Sequence, residues 1–251
     1  MSNTFKKLSY NNEKFIAYNQ MPGKSPGVVF LTGFKSDMTG TKALVLEKIC
    51  QNRNQAFLRF DYTGHGQSSG KFEDGTIGDW TNDTILALDN LCNGPQILVG
   101  SSMGGWIMLL AALARPENIV GLVGIAAAPD FTEDLLIKNF SESQLDQLQK
   151  KGYVKIPNCY NEEPYIISKA LLDEGQKHLL LKDEIPIDCP VRLIHGEMDQ
   201  DVPWKTSFRL AKSLRSQDVS ILFVKGGDHR MSEPQDLDRL CSTLENLLDQ
   251  Y

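Results

Sequence analysis

The sequence lacks the features that mark disulfide-rich, membrane-spanning and nucleotide-binding proteins. Its five cysteines are odd in number, scattered and without C-x-x-C spacing, so neither a disulfide framework nor a cysteine zinc site is expected. They are Cys50, Cys92, Cys159, Cys189 and Cys241. No apolar run approaches the ~20 residues of a membrane span, so we expect no stable membrane insertion. Neither G-x-G-x-x-G nor G-x-x-x-x-G-K-[ST] occurs, which leaves nucleotide binding without support.

Charge and length narrow the class of protein further. The net charge of −6 and the lack of a Lys/Arg-rich run argue against a nucleic-acid partner. Residues 1–7 are neither rich in arginine nor followed by an apolar targeting segment, and together with the cysteine usage this predicts a cytoplasmic location. A mitochondrial location is expected only if a presequence is missing from this chain. A chain of 251 residues, 41% of them hydrophobic, suffices for one α/β domain with an insertion. No feature indicates an oligomeric state.

The most informative pattern that is present is G-x-S-x-G at residues 100–104. An apolar run ending at Val99 precedes it and an apolar helical pattern beginning at Trp106 follows it, which predicts a strand, a sharp turn and a helix. The two glycines leave room in the turn, so the backbone can expose the Ser102 hydroxyl beyond the sheet. A helix N-terminus also favours developing negative charge at that position. Ser102 is therefore the candidate nucleophile.

The residues that would activate Ser102 follow it in the order acid, then histidine. A buried strand over 191–195 leads to a loop with Asp199, and a strand over 219–224 leads to a Gly-rich loop with His229. Both lie past the carboxyl ends of strands, where parallel sheets carry functional groups. A serine hydroxyl needs an imidazole to accept its proton and a carboxylate to orient that imidazole. The three residues together predict a serine-hydrolase triad.

The acid of this triad has alternatives. Asp201 lies two residues beyond Asp199 in the same loop, and it would otherwise cap the following helix. Asp130 follows another apparent strand and is a further candidate. Asp228 adjoins His229 and is poorly placed to turn back onto its ring. Asp199 is the favoured acid, with Asp201 and Asp130 left open.

The other three histidines are interpreted as structural or exposed. His195 is embedded at a strand end, where packing or a loop hydrogen bond is expected. His65 lies in a turn-rich loop upstream of Ser102, out of order for the general base. His178 falls in a polar helical stretch and is expected to face solvent.

The sequence also predicts an oxyanion hole, the pair of N–H donors that a tetrahedral intermediate requires. The residue after the nucleophile, Met103, supplies one donor, and the loop after the strand over 27–31 supplies the other. Gly33 in that loop permits close approach of the backbone. The Phe34 N–H is therefore the candidate second donor.

Strands and helices alternate along most of the chain. After an opening hairpin over 5–18, the predicted strands are 27–32, 56–61, 96–100, 119–126, 191–195 and 219–224. The predicted helices are 41–52, 77–91, 103–114, 203–215 and 234–249. This alternation is typical of a mainly parallel sheet with helices on both faces.

Residues 130–188 interrupt the alternation after the sixth strand. A capping box predicts a helix from Ser141 to near Gly152, an irregular piece around Tyr160 follows, and a second helix is predicted over 165–181. We interpret the segment as a cap that covers Ser102 and excludes water. The predicted organisation is thus a core of residues 1–129 and 189–251 with a cap over 130–188.

These motifs, taken together, resemble the α/β-hydrolase superfamily over nearly the whole chain. The segments that carry the resemblance are 32–43, 100–106, 195–204 and 227–231. They look like the mitochondrial palmitoyl-protein thioesterase and acyl-glucuronide esterase family and its bacterial relatives. The resemblance implies an α/β-hydrolase fold with Ser102 as nucleophile, Asp199 as acid and His229 as base. It also implies esterase or thioesterase activity on acyl groups.

The predicted enzyme is therefore a serine hydrolase that performs a two-step acyl transfer without a metal or cofactor. Its expected substrates are small molecules or S-acylated proteins. Met38, Trp106 and Trp204 are candidate substrate-binding residues, with ordinary core packing as the alternative for each. The same triad also serves peptidases and carbon–carbon bond hydrolases. A receptor-like hydrolase fold with negligible turnover is the non-enzymatic alternative.

Overall fold

The computed structural model describes residues 5–11, 14–157 and 163–251. Cys159 and Tyr160 lie outside the described residues, as does this part of the predicted irregular piece. Within the described ranges no helix combines the length and the apolar character needed to cross a membrane.

The described strands form one sheet of eight strands and a separate ribbon of two. In chain order they are β1 (Lys6–Asn11), β2 (Lys14–Met21), β3 (Lys24–Leu31), β4 (Gln55–Phe60), β5 (Gln96–Ser101), β6 (Ile119–Ile125), β7 (Tyr153–Ile156), β8 (Tyr165–Ser168), β9 (Val191–Gly196) and β10 (Val219–Val224). The large sheet has the order β1-β2-β4-β3-β5-β6-β9-β10. β1 and β2 are antiparallel additions, and all pairs from β4 to β10 are parallel. The carboxyl ends of six strands therefore meet at one edge.

Helices cover both faces of this sheet. They are α1 (Thr41–Arg53), α2 (Ile77–Leu91), α3 (Met103–Ala114), α4 (Glu142–Lys151), α5 (Lys169–Gly175), α6 (Lys205–Ser213) and α7 (Pro234–Leu248). Buried apolar side chains of α1 and α7 pack in one cluster with one face of the central strands. Those of α2, α3 and α6 pack in a second cluster on the opposite face. This architecture confirms the predicted mainly parallel α/β fold with helices on both faces.

One predicted element is partly wrong. The helix predicted over 165–181 spans only Lys169–Gly175. Residues 165–168 instead form β8, which pairs antiparallel with β7, and residues 176–178 form a short 3₁₀ helix. The run Tyr-Ile-Ile-Ser suits an extended backbone, since aromatic and β-branched side chains favour strands. Ser168 then caps α5, its Oγ accepting a hydrogen bond from the Leu171 N–H at 3.1 Å.

Residues 130–188 follow β6 and hold α4, β7, β8 and α5. The predicted capping box at the start of α4 is confirmed. Ser141 Oγ accepts from the Gln144 N–H at 3.3 Å, and Gln144 Oε1 accepts from the Ser141 N–H at 2.9 Å. The helix ends at Gly152 in the left-handed conformation, with φ +76°. The division of the chain into core and cap stays a prediction.

Candidate active site

Ser102 lies in the turn between β5 and α3, at the carboxyl edge of the sheet. Its backbone has φ +54° and ψ −119°, a costly conformation for a residue with a side chain. Neighbouring hydrogen bonds hold it there. The Ser102 N–H donates to the Ile125 carbonyl at 2.9 Å, and the Ser102 carbonyl accepts from the Ala128 N–H at 3.0 Å. β6 and the residues that follow it therefore fix the strained turn.

Two glycines make this turn possible because neither position has room for a side chain. A Cβ at Gly100 would lie 2.4 Å from the carbonyl oxygen of Gly104. A Cβ at Gly104 would lie 2.2 Å from the carbonyl oxygen of Leu31, at the end of β3. These close approaches confirm the role that the sequence predicted for the two glycines.

We expect Gly104→Ala to lower the free energy of unfolding by about 1–3 kcal/mol, the usual cost of overpacking. The added methyl group would press on backbone atoms, which cannot move aside as a flexible side chain can. Urea unfolding followed by circular dichroism measures the effect. Gly40→Ala is the matched control, since its Cβ would meet the nearest atom, the Asp37 carbonyl oxygen, only at 3.5 Å. Equal stability of the two variants would contradict the expectation.

The structure brings the three predicted triad residues together. His229 Nε2 lies 3.1 Å from Ser102 Oγ, and His229 Nδ1 lies 2.8 Å from Asp199 Oδ2. These residues come from three loops that follow β5, β9 and β10. The distances allow the serine proton to pass to the imidazole while the carboxylate holds the opposite ring nitrogen.

The Asp199 carboxylate is completely buried and is surrounded by N–H groups. Oδ1 accepts from the backbone N–H groups of Asp201 at 2.9 Å and Val202 at 2.8 Å. Oδ2 faces two imidazoles, with His229 Nδ1 at 2.8 Å and His195 Nε2 at 3.1 Å. Burial alone would raise the pKa of Asp199, but the two imidazole N–H groups and the Val202 N–H hold that pKa well below its usual range. Asp199 is thus an ionised acceptor.

The alternative acids occupy other positions. Asp130 lies at the start of the 130–188 segment, where Oδ1 accepts from the Leu180 N–H at 2.8 Å and Oδ2 from the Leu181 N–H at 2.9 Å. It therefore joins the two ends of that segment, and burial raises its pKa. Asp228 Oδ1 accepts from the Met231 N–H at 3.0 Å. Asp201 lies beside the triad and donates its own N–H to Asp199.

Two of the remaining histidines have defined structural contacts. His65 Nε2 accepts from the Lys35 N–H at 3.3 Å, and burial lowers the His65 pKa to about 4, so the ring is neutral. It supports the loop after β3. His178 is half-buried and contacts Glu174 at 2.5 Å, so the expected solvent-facing position is only partly correct.

The third histidine, His195, is completely buried and reaches the triad carboxylate. Sequence reasoning missed this contact and expected only packing or a loop hydrogen bond. The available signal was the short spacing between the strand residue His195 and Asp199, which brings the ring back over the loop that follows β9.

The predicted oxyanion-hole residues both line the cavity at Ser102. Met103 is the first residue of α3, and Ser102 supplies no side-chain cap to that helix. The loop with Phe34 lies against the nucleophile, since a Cβ at Gly33 would be 3.5 Å from Ser102 Cβ. Within the described residues neither the Met103 nor the Phe34 N–H donates a hydrogen bond. Both donors are thus available to a ligand.

A cavity of about 710 Å³ opens at Ser102 and His229. One wall is apolar and comes largely from the 130–188 segment, which contributes Phe131, Leu135, Leu136, Ile156, Pro157, Tyr165 and Ile167. The rest of the lining includes polar side chains from the loop after β3 and from the loop that carries His229. The cavity therefore suits a ligand that has both an apolar part and a polar part.

The three predicted substrate-binding residues lie outside this cavity lining. Met38 is buried beside Asp61, whose Oδ1 accepts its N–H at 2.6 Å. Trp106 is completely buried, and its Nε1 donates to the His178 carbonyl at 3.1 Å. Trp204 packs on Phe208 and Phe223 at the surface. The structure places none of them against the cavity.

The described residues contain one group of three potential metal ligands, formed by Asp199, Asp201 and His229. Their nearest ligand atoms lie within 4.8 Å of one another. Both oxygens of Asp199 already accept N–H donors, and one of these donors is His229. The triad therefore accounts for this group.

The chain is similar to known hydrolases over nearly its whole length. The family described as "Serine aminopeptidase, S33" matches residues 26–169. The mitochondrial palmitoyl-protein thioesterase ABHD10 of Homo sapiens is 43% identical, over 93% of this chain and 76% of its own length. The solved mouse α/β-hydrolase domain-containing protein 10 shares 40% identity with a TM-score of 0.92, covering 98% of this chain and 99% of its own. A putative hydrolase from Agrobacterium vitis shares 36% identity with a TM-score of 0.91, over 97% of each chain.

These relatives correct the predicted location. The ABHD10 proteins of Bos taurus, Pongo abelii and Homo sapiens, each 43% identical to this chain, are mitochondrial. This finding contradicts the cytoplasmic location expected from residues 1–7 and from the cysteine usage. Scattered cysteines do not distinguish one reducing compartment from another.

Proposed function

Because this chain belongs to the α/β-hydrolase superfamily, we propose that it is a serine hydrolase that cleaves thioesters and carboxylic esters of apolar acyl groups. Ser102 is the nucleophile, His229 the general base and Asp199 the residue that orients it. The observation that carries the proposal is the Ser102–His229–Asp199 series of hydrogen bonds, 3.1 Å and 2.8 Å long, at the mouth of an apolar-walled cavity.

The reaction proceeds in two acyl-transfer steps. Ser102 Oγ attacks the acyl carbonyl carbon while its proton passes to His229 Nε2. The Phe34 and Met103 N–H groups stabilise the resulting oxyanion. The bond to the leaving thiol or alcohol breaks, and that group takes the proton from His229. A water molecule then gives a proton to His229 Nε2 and attacks the acyl carbon. The bond between that carbon and Ser102 Oγ breaks, His229 gives its proton to Ser102 Oγ, and the carboxylic acid leaves.

The apolar wall of the cavity binds the acyl chain. We assign this role to Phe131, Leu135 and Leu136 together with the β7–β8 side chains that complete the wall. Residues 130–188 then act as a cap that buries the acyl chain and excludes water from the acyl-enzyme. The palmitoyl-protein thioesterase relatives support an S-acylated protein or a small acyl thioester as the substrate.

A series of N-acetylcysteamine thioesters and p-nitrophenyl esters with increasing acyl length tests the proposal. We expect Leu136→Trp to lower kcat/KM for the longest acyl chains about tenfold, because the indole would displace roughly two methylene groups at ~0.8 kcal/mol each. Short-chain substrates are expected to be turned over as by the wild type. The acyl optimum should therefore move to shorter chains.

Leu145→Trp is the matched control, since Leu145 is exposed on α4 and does not line the cavity. It is expected to leave the acyl-length profile unchanged. Equal profiles for Leu136→Trp and the wild type would contradict the assigned acyl wall. Turnover of p-nitroanilide amides in preference to every ester and thioester would replace the proposal by a peptidase.

A further inference from the structure

His195 is a second histidine, besides His229, that contacts the Asp199 carboxylate. Both rings face the same oxygen, Asp199 Oδ2, with His195 Nε2 at 3.1 Å and His229 Nδ1 at 2.8 Å. His195 has no exposed surface, and neither has the Asp199 side chain. The cavity lining includes His229 but not His195. His195 is therefore out of reach of a ligand and in reach of the residue that orients the base.

The neighbours of His195 determine which ring nitrogen carries the proton. Nε2 lies 3.0 Å from the Val202 carbonyl and 3.1 Å from Asp199 Oδ2, and both oxygens are acceptors. Nε2 must therefore be protonated, and its N–H is shared between the two oxygens. Nδ1 lies 2.7 Å from the buried Ser207 hydroxyl, which can donate to it when Nδ1 carries no proton. The neutral tautomer with the proton on Nε2 satisfies all three neighbours.

We propose that His195 is a positioning residue of the hydrolase, which holds the Asp199 carboxylate ionised and aimed at His229, with Ser207 fixing the tautomer that this requires. The inference rests on the proposed roles of Ser102, His229 and Asp199. It adds His195 and Ser207 to the series of hydrogen bonds that joins Ser102, His229 and Asp199. Helix α6, which carries Ser207, is thereby linked to the nucleophile.

The physical effect of His195 lies in the charge and the rotation of the carboxylate. A carboxylate that accepts several N–H groups is a weaker base, so the proton that His229 takes from Ser102 stays on the imidazole. The contact at Oδ2 also opposes rotation of the carboxylate away from His229. Removal of the His195 N–H would weaken both effects without touching the cavity.

A merely structural role makes a different prediction. His195 also binds the Val202 carbonyl, so it could act only by holding the loop that follows β9. In that case its replacement would lower stability and activity in proportion, whatever residue stands at position 199. A positioning role requires that the loss of activity depends on the Asp199 carboxylate.

The test compares His195→Leu and His195→Gln in the wild type and in an Asp199→Asn background. We expect His195→Leu to lower kcat roughly tenfold with KM nearly unchanged, the effect of one lost charge-assisted hydrogen bond. His195→Gln should recover most of this loss, because its amide can donate near the position of Nε2. In the Asp199→Asn background His195→Leu should cost almost nothing further, since residues that act through one another are not additive.

The dependence of kcat/KM on pH is a second measurement, and it should not change if His195 only holds the loop after β9. The titratable groups beside the Asp199 carboxylate are His195, His229 and Asp201. Without the His195 N–H the Asp199 carboxylate becomes more basic and stabilises the protonated His229 imidazole more strongly. Activity is lost when His229 is protonated, so the acid limb of the kcat/KM profile should shift to higher pH in His195→Leu. Asp201 is unchanged in that variant and cannot produce the difference. His178→Leu is the control, because that histidine pairs with Glu174 away from the triad.

The rate at which a fluorophosphonate labels Ser102 separates failure of this inference from failure of the proposed function. It reports the activated serine even if the acyl substrates prove wrong. Slower labelling of Ser102 in His195→Leu, with recovery of the rate in His195→Gln, supports the inference.

The inference is overturned if His195→Leu lowers kcat by the same factor with Asp or Asn at position 199, or if the acid limb does not shift. His195 would then only hold the loop after β9. If His195→Leu fails to fold, Ser207→Ala with the same two readouts decides, and an unchanged labelling rate and acid limb there would reject the role.

Discussion

Replacing Ser102 with alanine is expected to lower kcat/KM on thioesters and esters by at least about a thousandfold. The alanine has no oxygen to form the acyl-enzyme, and neither His229 nor the oxyanion donors can supply one. Steady-state hydrolysis of an N-acetylcysteamine thioester by both proteins measures the loss. The residual rate reports what the Phe34 and Met103 N–H groups contribute to direct attack by water. Fluorophosphonate labelling should disappear in the same variant.

The control for this variant must show that the fold is intact. Ser220→Ala serves as the matched substitution, because Ser220 is exposed on β10 and does not line the cavity. It should keep wild-type turnover and labelling. Ser102→Ala should also unfold at nearly the same denaturant concentration as wild type, since it removes only the half-buried hydrogen bond to His229 and keeps the turn. Full turnover by Ser102→Ala would remove the acyl-enzyme mechanism.

The parts of the site that the sequence predicted are those with a local constraint. The Ser102 turn needs glycines at fixed offsets because backbone atoms occupy the space of a Cβ, and that requirement is readable as a motif. His229 could be selected because chain order and a loop after a strand excluded the other histidines. The parallel sheet was also predictable, because segments with the hydrophobic period of a strand alternate along the chain with segments that have the period of a helix.

The parts that the sequence did not predict depend on contacts between distant segments. Trp106 carries the same apolar signal as a cavity residue, but only the fold shows that it is buried against the His178 carbonyl. Leu136 and the other apolar residues of the cavity wall form a ligand surface only after β7 and β8 have paired. The His195 contact likewise follows from the path of the loop after β9. Periodicity gives no information on such paths.

Asp199→Asn is expected to lower kcat by roughly a thousand- to ten-thousandfold, whereas Asp201→Asn should change it only a few fold. An asparagine amide can turn its NH₂ group to His229 Nδ1, which would leave the proton on Nε2 and prevent that nitrogen from accepting the serine proton. The Asp201 side chain reaches the same region, and the Asp201 N–H donates to Asp199 Oδ1 at 2.9 Å. kcat and KM measured on one thioester separate the two variants, and KM should be nearly unchanged in both.

Burial makes this contrast between the two aspartates a strong one. The Asp199 carboxylate has no exposed surface and faces four N–H groups. Solvent therefore cannot compensate for the loss of its negative charge in Asp199→Asn. Asp201 is exposed, so solvent readily compensates for the loss of its charge. The acid limb of the pH profile should accordingly move in Asp199→Asn and stay in Asp201→Asn. A large loss in Asp201→Asn with a small one in Asp199→Asn would transfer the role of the acid to Asp201, and the Asp199 contacts would then serve only to hold the loop.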